Sequence, residues 1–329
     1  MTSDTPAPPA TSRTALVTAM IVAVVSGGFV AAQSRINGEL GKELGDGYAA
    51  ALISFGSGLV ILMIVMLFWA PGRRGLGRVM AALGSRSIPW WHLCGGAAGA
   101  FLVLSQGLTA ALLGVALFTV ATVCGQTISG LLIDRSGLGT MAAKAVTWTR
   151  LIGSAIALAA VIWAVSSELV GSIPFWMLAM PFVAGLGIGW QQAVNGQVRG
   201  LAESALTATF INFVVGAAVL LIATVVHSSF VGWPTHLPSN PLLYVGGAIG
   251  VCFIAAAAIL VRMTGVLLLG LGTIAGQLAT SLVLDLVAPI PGHVVAWTTI
   301  AGTILTLLAV GLAAVPSRAI RVESKTRAR

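Results

Sequence analysis

Residues 125–134 read Gly-Gln-Thr-Ile-Ser-Gly-Leu-Leu-Ile-Asp, and residues 276–285 read Gly-Gln-Leu-Ala-Thr-Ser-Leu-Val-Leu-Asp. Gly125, Gln126, Leu131 and Asp134 return as Gly276, Gln277, Leu282 and Asp285. Both copies sit in long apolar surroundings, where an amide and a carboxylate are costly. A costly pair that recurs at the same spacing points to an internal duplication.

The repeat extends in both directions. Residues 95–134 match 246–285 with twelve identities, among them Gly95-Gly96-Ala97, Gly99 and Gly114-Val115. Residues 33–59 match 191–217 with seven identities: Gln33, Asn37, Gly38, Ala50, Ile53, Phe55 and Gly58. A weaker block pairs Trp148 and Gly153 with Trp297 and Gly302. Apolar sequences match one another easily, but three blocks in one order, carrying rare polar residues, argue for duplication.

The chain has 329 residues, 57% hydrophobic and 8% charged, and its mean hydropathy is +1.01. Soluble domains carry about 25% charged residues, so the composition specifies a polytopic membrane protein. Ten apolar stretches follow one another: 15–35, 48–70, 89–109, 114–133, 145–165, 174–194, 205–226, 241–261, 265–287 and 293–315. Each has about 20 residues, the length of a membrane-spanning helix. The runs 93–133 and 242–284 are too long for one span, and the turns fall near Ala110–Gly114 and Arg262–Gly265. Val30-Ala31-Ala32-Gln33 resembles a signal-cleavage site, but the sixth stretch is a copy of the first, which a removable leader would not need.

With the N-terminus in the cytoplasm, fifteen of the 17 basic residues fall inside, and only Arg35 and Lys42 fall outside. Both termini are therefore expected in the cytoplasm. The same distribution explains the net charge of +8 and gives no reason to expect a nucleic-acid partner. The expected organisation is a disordered cytoplasmic tail (1–14), a first five-helix repeat (15–165) and an external linker (166–173). A second five-helix repeat (174–315) and a basic cytoplasmic tail (316–329) follow. Five spans is an odd number, so the second repeat enters the membrane from the other side. The expected fold class is an all-α membrane protein of ten helices in a 5+5 inverted repeat, an architecture of secondary transporters.

Here the chain resembles the drug/metabolite transporter superfamily. Gln33-x-x-x-Asn37-Gly38 followed by Ser54-Phe55-x-x-Gly58 looks like the YdcZ-type family of inner-membrane exporters. So does Gly125-Gln126-x7-Asp134 followed by Thr147-x-x-Arg150-x-x-Gly153. The resemblance covers roughly residues 15–315 and implies two five-helix units fused, with export or exchange of small metabolites. The second half departs from the pattern: Arg150 becomes Thr299, Ser54 becomes Asn212 and Arg135 becomes Leu286. Small multidrug transporters of the superfamily use a Glu in their first helix. Residues 15–35 contain no acidic residue, so that proton–cation mechanism does not transfer.

Gln33 and Asn37 share a helix face, and Gln191 and Asn195 repeat it. In a bilayer such groups need partners inside the protein. Two readings are open: a polar lining for a substrate cavity, or hydrogen bonds that hold the repeats together. Gln126 and Gln277 lie about two turns inside their spans and carry the same two readings, with Gly125 and Gly276 allowing close helix approach. Asp134 and Asp285 are candidates for coupling a proton or another ion. The alternative is a helix-end carboxylate, solvated or paired, for Asp134 with Arg135 or Arg150. Arg150 is a gate partner or a lipid anchor, and Trp190 a stacking surface for substrate or a packing residue. Cys94, Cys124 and Cys252 read as apolar packing residues. Neither they nor the histidines 92, 227, 236 and 293 have metal-ligand spacing.

The expected function is a secondary transporter, an exporter of a small metabolite or drug-like solute, working by alternating access. No cofactor is expected, no Walker loop is present and no nucleophile–base constellation suggests an enzyme. The alternative is a membrane scaffold or binding protein without a transport cycle. The 14 Arg to 3 Lys suggest a GC-rich bacterial genome, hence a bacterial inner membrane. A homodimer is left open.

Overall fold

Two glycines shape the centre of the molecule. In the computed structural model, which describes residues 13–136, 148–166, 174–289 and 297–314, the two long apolar runs each break at one residue. Gly114 has φ 78° and Gly265 has φ 80°, a backbone that side chains with a Cβ adopt only under strain. These are the two turn positions expected from sequence, and they are equivalent in the repeat.

The described regular structure is helical. The helices are α1 (Arg13–Leu44), α2 (Gly47–Phe68), α3 (Ala70–Gly84), α4 (Gly95–Ser105) and α5 (Ala111–Leu113). They continue as α6 (Val115–Ser136), α7 (Trp148–Ser166), α8 (Phe175–Ala202), α9 (Ala205–Val231), α10 (Gly246–Val287) and α11 (Trp297–Ala314). A π-helical turn, Gln106–Ala110, joins α4 to α5, and 3₁₀ turns at Trp90–Leu93 and Pro241–Tyr244 lead into α4 and α10. Because of the break at Gly265, α10 is two helices in one. Eight described helical stretches are long and apolar enough to cross a membrane; within α7 and α11 the apolar parts are shorter, Leu151–Ala160 and Ile300–Ala309. The expected tails and linker lie almost entirely outside the described residues.

The repeat is visible in the local chemistry. Gly45 (φ 64°) ends α1 and Asp46 caps α2, accepting from Tyr48 N at 2.8 Å and Ala49 N at 3.1 Å. At the equivalent corner Glu203 (φ 52°) ends α8 and Ser204 caps α9, accepting from Thr207 N at 3.1 Å. A different dipeptide makes the same turn, because the left-handed residue and the capping oxygen are what the geometry needs.

The helices pack across the two halves. α1 lies along α10, α8 lies along α6 and α4, α2 meets α9, and α7 meets α11. The crossings use the glycines beside the repeated glutamines. A methyl on Gly276 would collide with the Val24 carbonyl of α1, and one on Gly125 with the Phe182 carbonyl of α8. Gly27 and Gly185 complete the same two crossings from the other side. Lipid gives little hydrophobic drive for helix association, so close backbone approach and its dispersion contacts supply much of the stability.

Helix α3 is an element the sequence reading did not foresee, since residues 71–88 lie between the second and third apolar stretches. Gly72, Gly75, Val79 and Ala82 are its buried residues, and at helical spacing they face α8 and α9. Arg78 donates to the Ala202 carbonyl and pairs with Glu203 at 3.4 Å. The low overall hydropathy of the segment concealed a one-sided helix. Cys94 and Cys124 are half-buried, and Cys252 is exposed on the outer face of an apolar stretch long enough to cross a membrane.

Candidate functional site

Each half presents its Gln-x-x-x-Asn face to a glycine-rich helix start of the other half. Gln33 of α1 donates through Nε2 to the Gly246 carbonyl at 2.9 Å, where α10 begins. Asn37, one turn further, donates to Gln106 Oε1 at 2.7 Å, and Gln106 donates to Ser34 Oγ at 3.0 Å. The π-helical turn carries Gln106 into this cluster. In the other half Gln191 and Asn195 both donate to Asn212 Oδ1, at 3.0 and 2.9 Å. Their side chains lie against Gly99 and Gly95 of α4, where a Cβ would crowd them. All these amides are buried, and Asn37 Oδ1, Ser54 Oγ, Gln191 Oε1 and Asn212 Nδ2 have unused hydrogen-bonding capacity.

A cavity of about 20 Å³ lies between the clusters. That is room for about one water molecule. Its walls come in equivalent pairs: Gln33 with Gln191, Gly99 with Gly250, and Phe55 with Phe213. The two phenyl rings lean on each other with centroids 4.7 Å apart.

Gln126 and Gln277 lie elsewhere. They bond to each other, Gln277 Nε2 to Gln126 Oε1 at 3.3 Å, and are 4% and 1% exposed. They do not line the small cavity. They mark the middle of an antiparallel pair formed by α6 and the second part of α10. The ends of this pair are crossed. Asp134, at the end of α6, accepts from Val266 N at 2.9 Å, just after the Gly265 break. Asp285, near the end of α10, accepts from Ala116 N at 2.9 Å, just after the Gly114 break. Glycine has no side chain to cap the helix it precedes, so each half supplies the cap of the other. A carboxylate at a helix N-terminus is also favoured by the helix dipole.

Arg35 Nη1 lies 3.8 Å from Asp285 Oδ1. Arg135, the neighbour expected for Asp134, is exposed, and Arg150 lies in the first turn of α7 with a side chain outside the described residues. Trp190 is half-buried in α8. Sequence reasoning used Arg35 only for topology and passed over Gln106. A polar residue in an apolar run of about 40 residues was the available signal for Gln106.

Comparison with known families fits this duplicated architecture. Residues 18–163 and 176–312 each match the family described as "Putative inner membrane exporter, YdcZ", of the drug/metabolite transporter group. The chain belongs to this family. It is a YdcZ-type protein with two family units fused in one chain. No curated protein matches the sequence. Among solved structures, 13 chains match, one of them titled only "Crystal structure of protein". That chain superposes with a TM-score of 0.59 at 15% identity, over 92% of this chain and 97% of its own, a likeness of fold alone.

Proposed function

We propose that this YdcZ-type protein exports a small solute across the bacterial inner membrane by alternating access, as ten spans in a 5+5 inverted repeat with both termini in the cytoplasm. The observation that supports the reading most is the cavity whose walls are paired between the halves. A centre built from equivalent residues can open to either side by the same motion of either repeat. Gln33 and Gln191 are the amides that face it, with Asn37 and Asn195 behind them, and Trp190 lies one residue from Gln191. The cavity is closed to a single water's size, as in an occluded state between two open ones.

Gln126 and Gln277 act in this reading as a clasp at the α6–α10 crossing. Asp134 and Asp285 are the coupling candidates, because a change of charge on either weakens the cap of a helix in the other repeat. Arg150 is retained as a gate or anchor residue of α7. The tight centre also favours a second reading, a membrane scaffold with no transport cycle.

Purified protein in liposomes separates the two. The vesicles are loaded with a mixture of small organic acids, amino acids and cationic dyes, and a pH gradient is imposed. Efflux that Gln33→Ala/Gln191→Ala abolishes and Gln126→Ala/Gln277→Ala only slows supports the exporter and its site. Efflux lost only in the second pair moves the site to the clasp. A folded protein that moves none of these solutes and whose centre stays closed to thiol reagents at Gly99→Cys supports the scaffold.

A further inference from the structure

A cleft with mixed polar and apolar walls lies away from the centre. It has a volume of about 270 Å³ and is walled by Ser87, His92, Gly196, Gln197 and Arg262, with Gly200 at its edge. It opens between the end of α8, the last turn of α10 before the break, and the connection that follows α3.

Arg262 is the charged residue of its wall, and no carboxylate is among the lining residues. The ion pairs among the described residues are Arg35–Asp285, Arg78–Glu203 and His227–Asp46, so no described carboxylate pairs with Arg262. Its position is built rather than incidental. The stem passes Gly196, and Nη1 would lie 2.6 Å from a Cβ at Gly200. Two glycines one helical turn apart thus let the guanidinium rest against the backbone of α8. The guanidinium lies over Gly200 and is exposed on its other side, which leaves its donors for an oxyanion.

The repeat strengthens the inference. Gly196 has Gly38 as its equivalent, but Arg262 corresponds to Ala111, Gly200 to Lys42 and Gln197 to Glu39. On that side α1 closes directly on Ala111, against which a Cβ at Gly38 would press at 2.9 Å. The halves are alike where they cross and unlike here. One half thus carries a cation over two glycines where the other half is closed by an alanine.

We propose that the Arg262 cleft binds an oxyanion, the carboxylate or phosphate of a small anionic solute, and is the entry site of the exported substrate. The entry role rests on the exporter reading; the binding does not. The shared chemistry is an anionic oxygen group, and its source is a free solute or the headgroup of an anionic lipid.

The test uses the full chain in neutral detergent at constant ionic strength. Inorganic phosphate, and succinate separately, are titrated while fluorescence of Trp90 and Trp91, next to His92, is followed together with calorimetry. The same titration is made in nanodiscs of phosphatidylcholine with and without phosphatidylglycerol. A saturable signal from phosphate or succinate, weakened about tenfold or more by Arg262→Gln, is the expected result. Arg262→Lys keeps part of the affinity. Gly200→Leu, which pushes the guanidinium away without removing it, lowers it as well. Size-exclusion profiles and melting curves identify any variant that has lost its fold. An Arg262-dependent signal from phosphatidylglycerol alone overturns the entry role and leaves a lipid site. No Arg262-dependent signal from any probe overturns the whole proposal. Efflux that persists in Arg262→Gln then leaves the exporter reading standing without this site.

Discussion

Asp285 carries two connections that a single substitution can separate. Its carboxylate accepts from Ala116 N and stands 3.8 Å from Arg35. Asp285→Asn keeps an oxygen for the amide and loses the charge; Asp285→Ala loses both. The cap alone is worth about 0.5–2 kcal/mol, and a stranded, partly buried guanidinium adds to the cost. Asp285→Ala should therefore melt earlier than Asp285→Asn in detergent. Arg35→Gln/Asp285→Asn should cost less than the sum of the two single changes. Additive losses would show that the pair is not coupled. If Asp285 is the coupling group, Asp285→Asn should also make efflux indifferent to the pH gradient while the protein remains folded. Each of these effects belongs to one side chain and its neighbours.

At the scale of elements, the two broken helices depend on their glycines. Gly114 and Gly265 hold φ near 80° with ψ of 155° and 169°, a region open almost only to glycine, where an added Cβ costs about 1–3 kcal/mol. Gly265→Ala should lower the melting temperature and loosen the start of the helix that Asp134 caps, seen as faster amide exchange at Val266. Unchanged exchange there would mean that the break does not need glycine. Helix α3 gives a contrasting case. Its charged face is exposed, and its buried face is made of small residues, so Arg74→Ala should leave stability unchanged while Gly75→Leu should not. A methyl at Gly75 already meets Thr207 Oγ1 at 2.6 Å and the Ala202 carbonyl at 2.8 Å. The turn signals were legible in the sequence because glycine stood alone in an apolar run. Helix α3 was not, because two of its four buried residues are glycines and its arginines offset the apolar Val79 and Ala82.

The whole molecule is a pair of halves that bury themselves in each other. α1 packs on α10, α8 on α4 and α6, and the caps of the broken helices come from opposite halves. Residues 1–166 and 174–329 expressed as two separate chains should therefore co-purify, and each alone should aggregate or be degraded. Two halves that are each monodisperse alone would overturn this account of the fold. The sequence by itself determined the membrane class, the duplication and the positions of the turn glycines. Hydropathy, repeated polar residues and isolated glycines are local properties that survive projection onto one dimension. Only the tertiary structure decided the partners. It put Gln33 and Gln191 at the central cavity, joined Gln126 to Gln277, set Asp285 on a helix start 169 residues away and laid Arg262 over the glycines of α8. The physical reason is that every rare polar group in lipid must find a partner, and which partner it finds depends on where the helices cross.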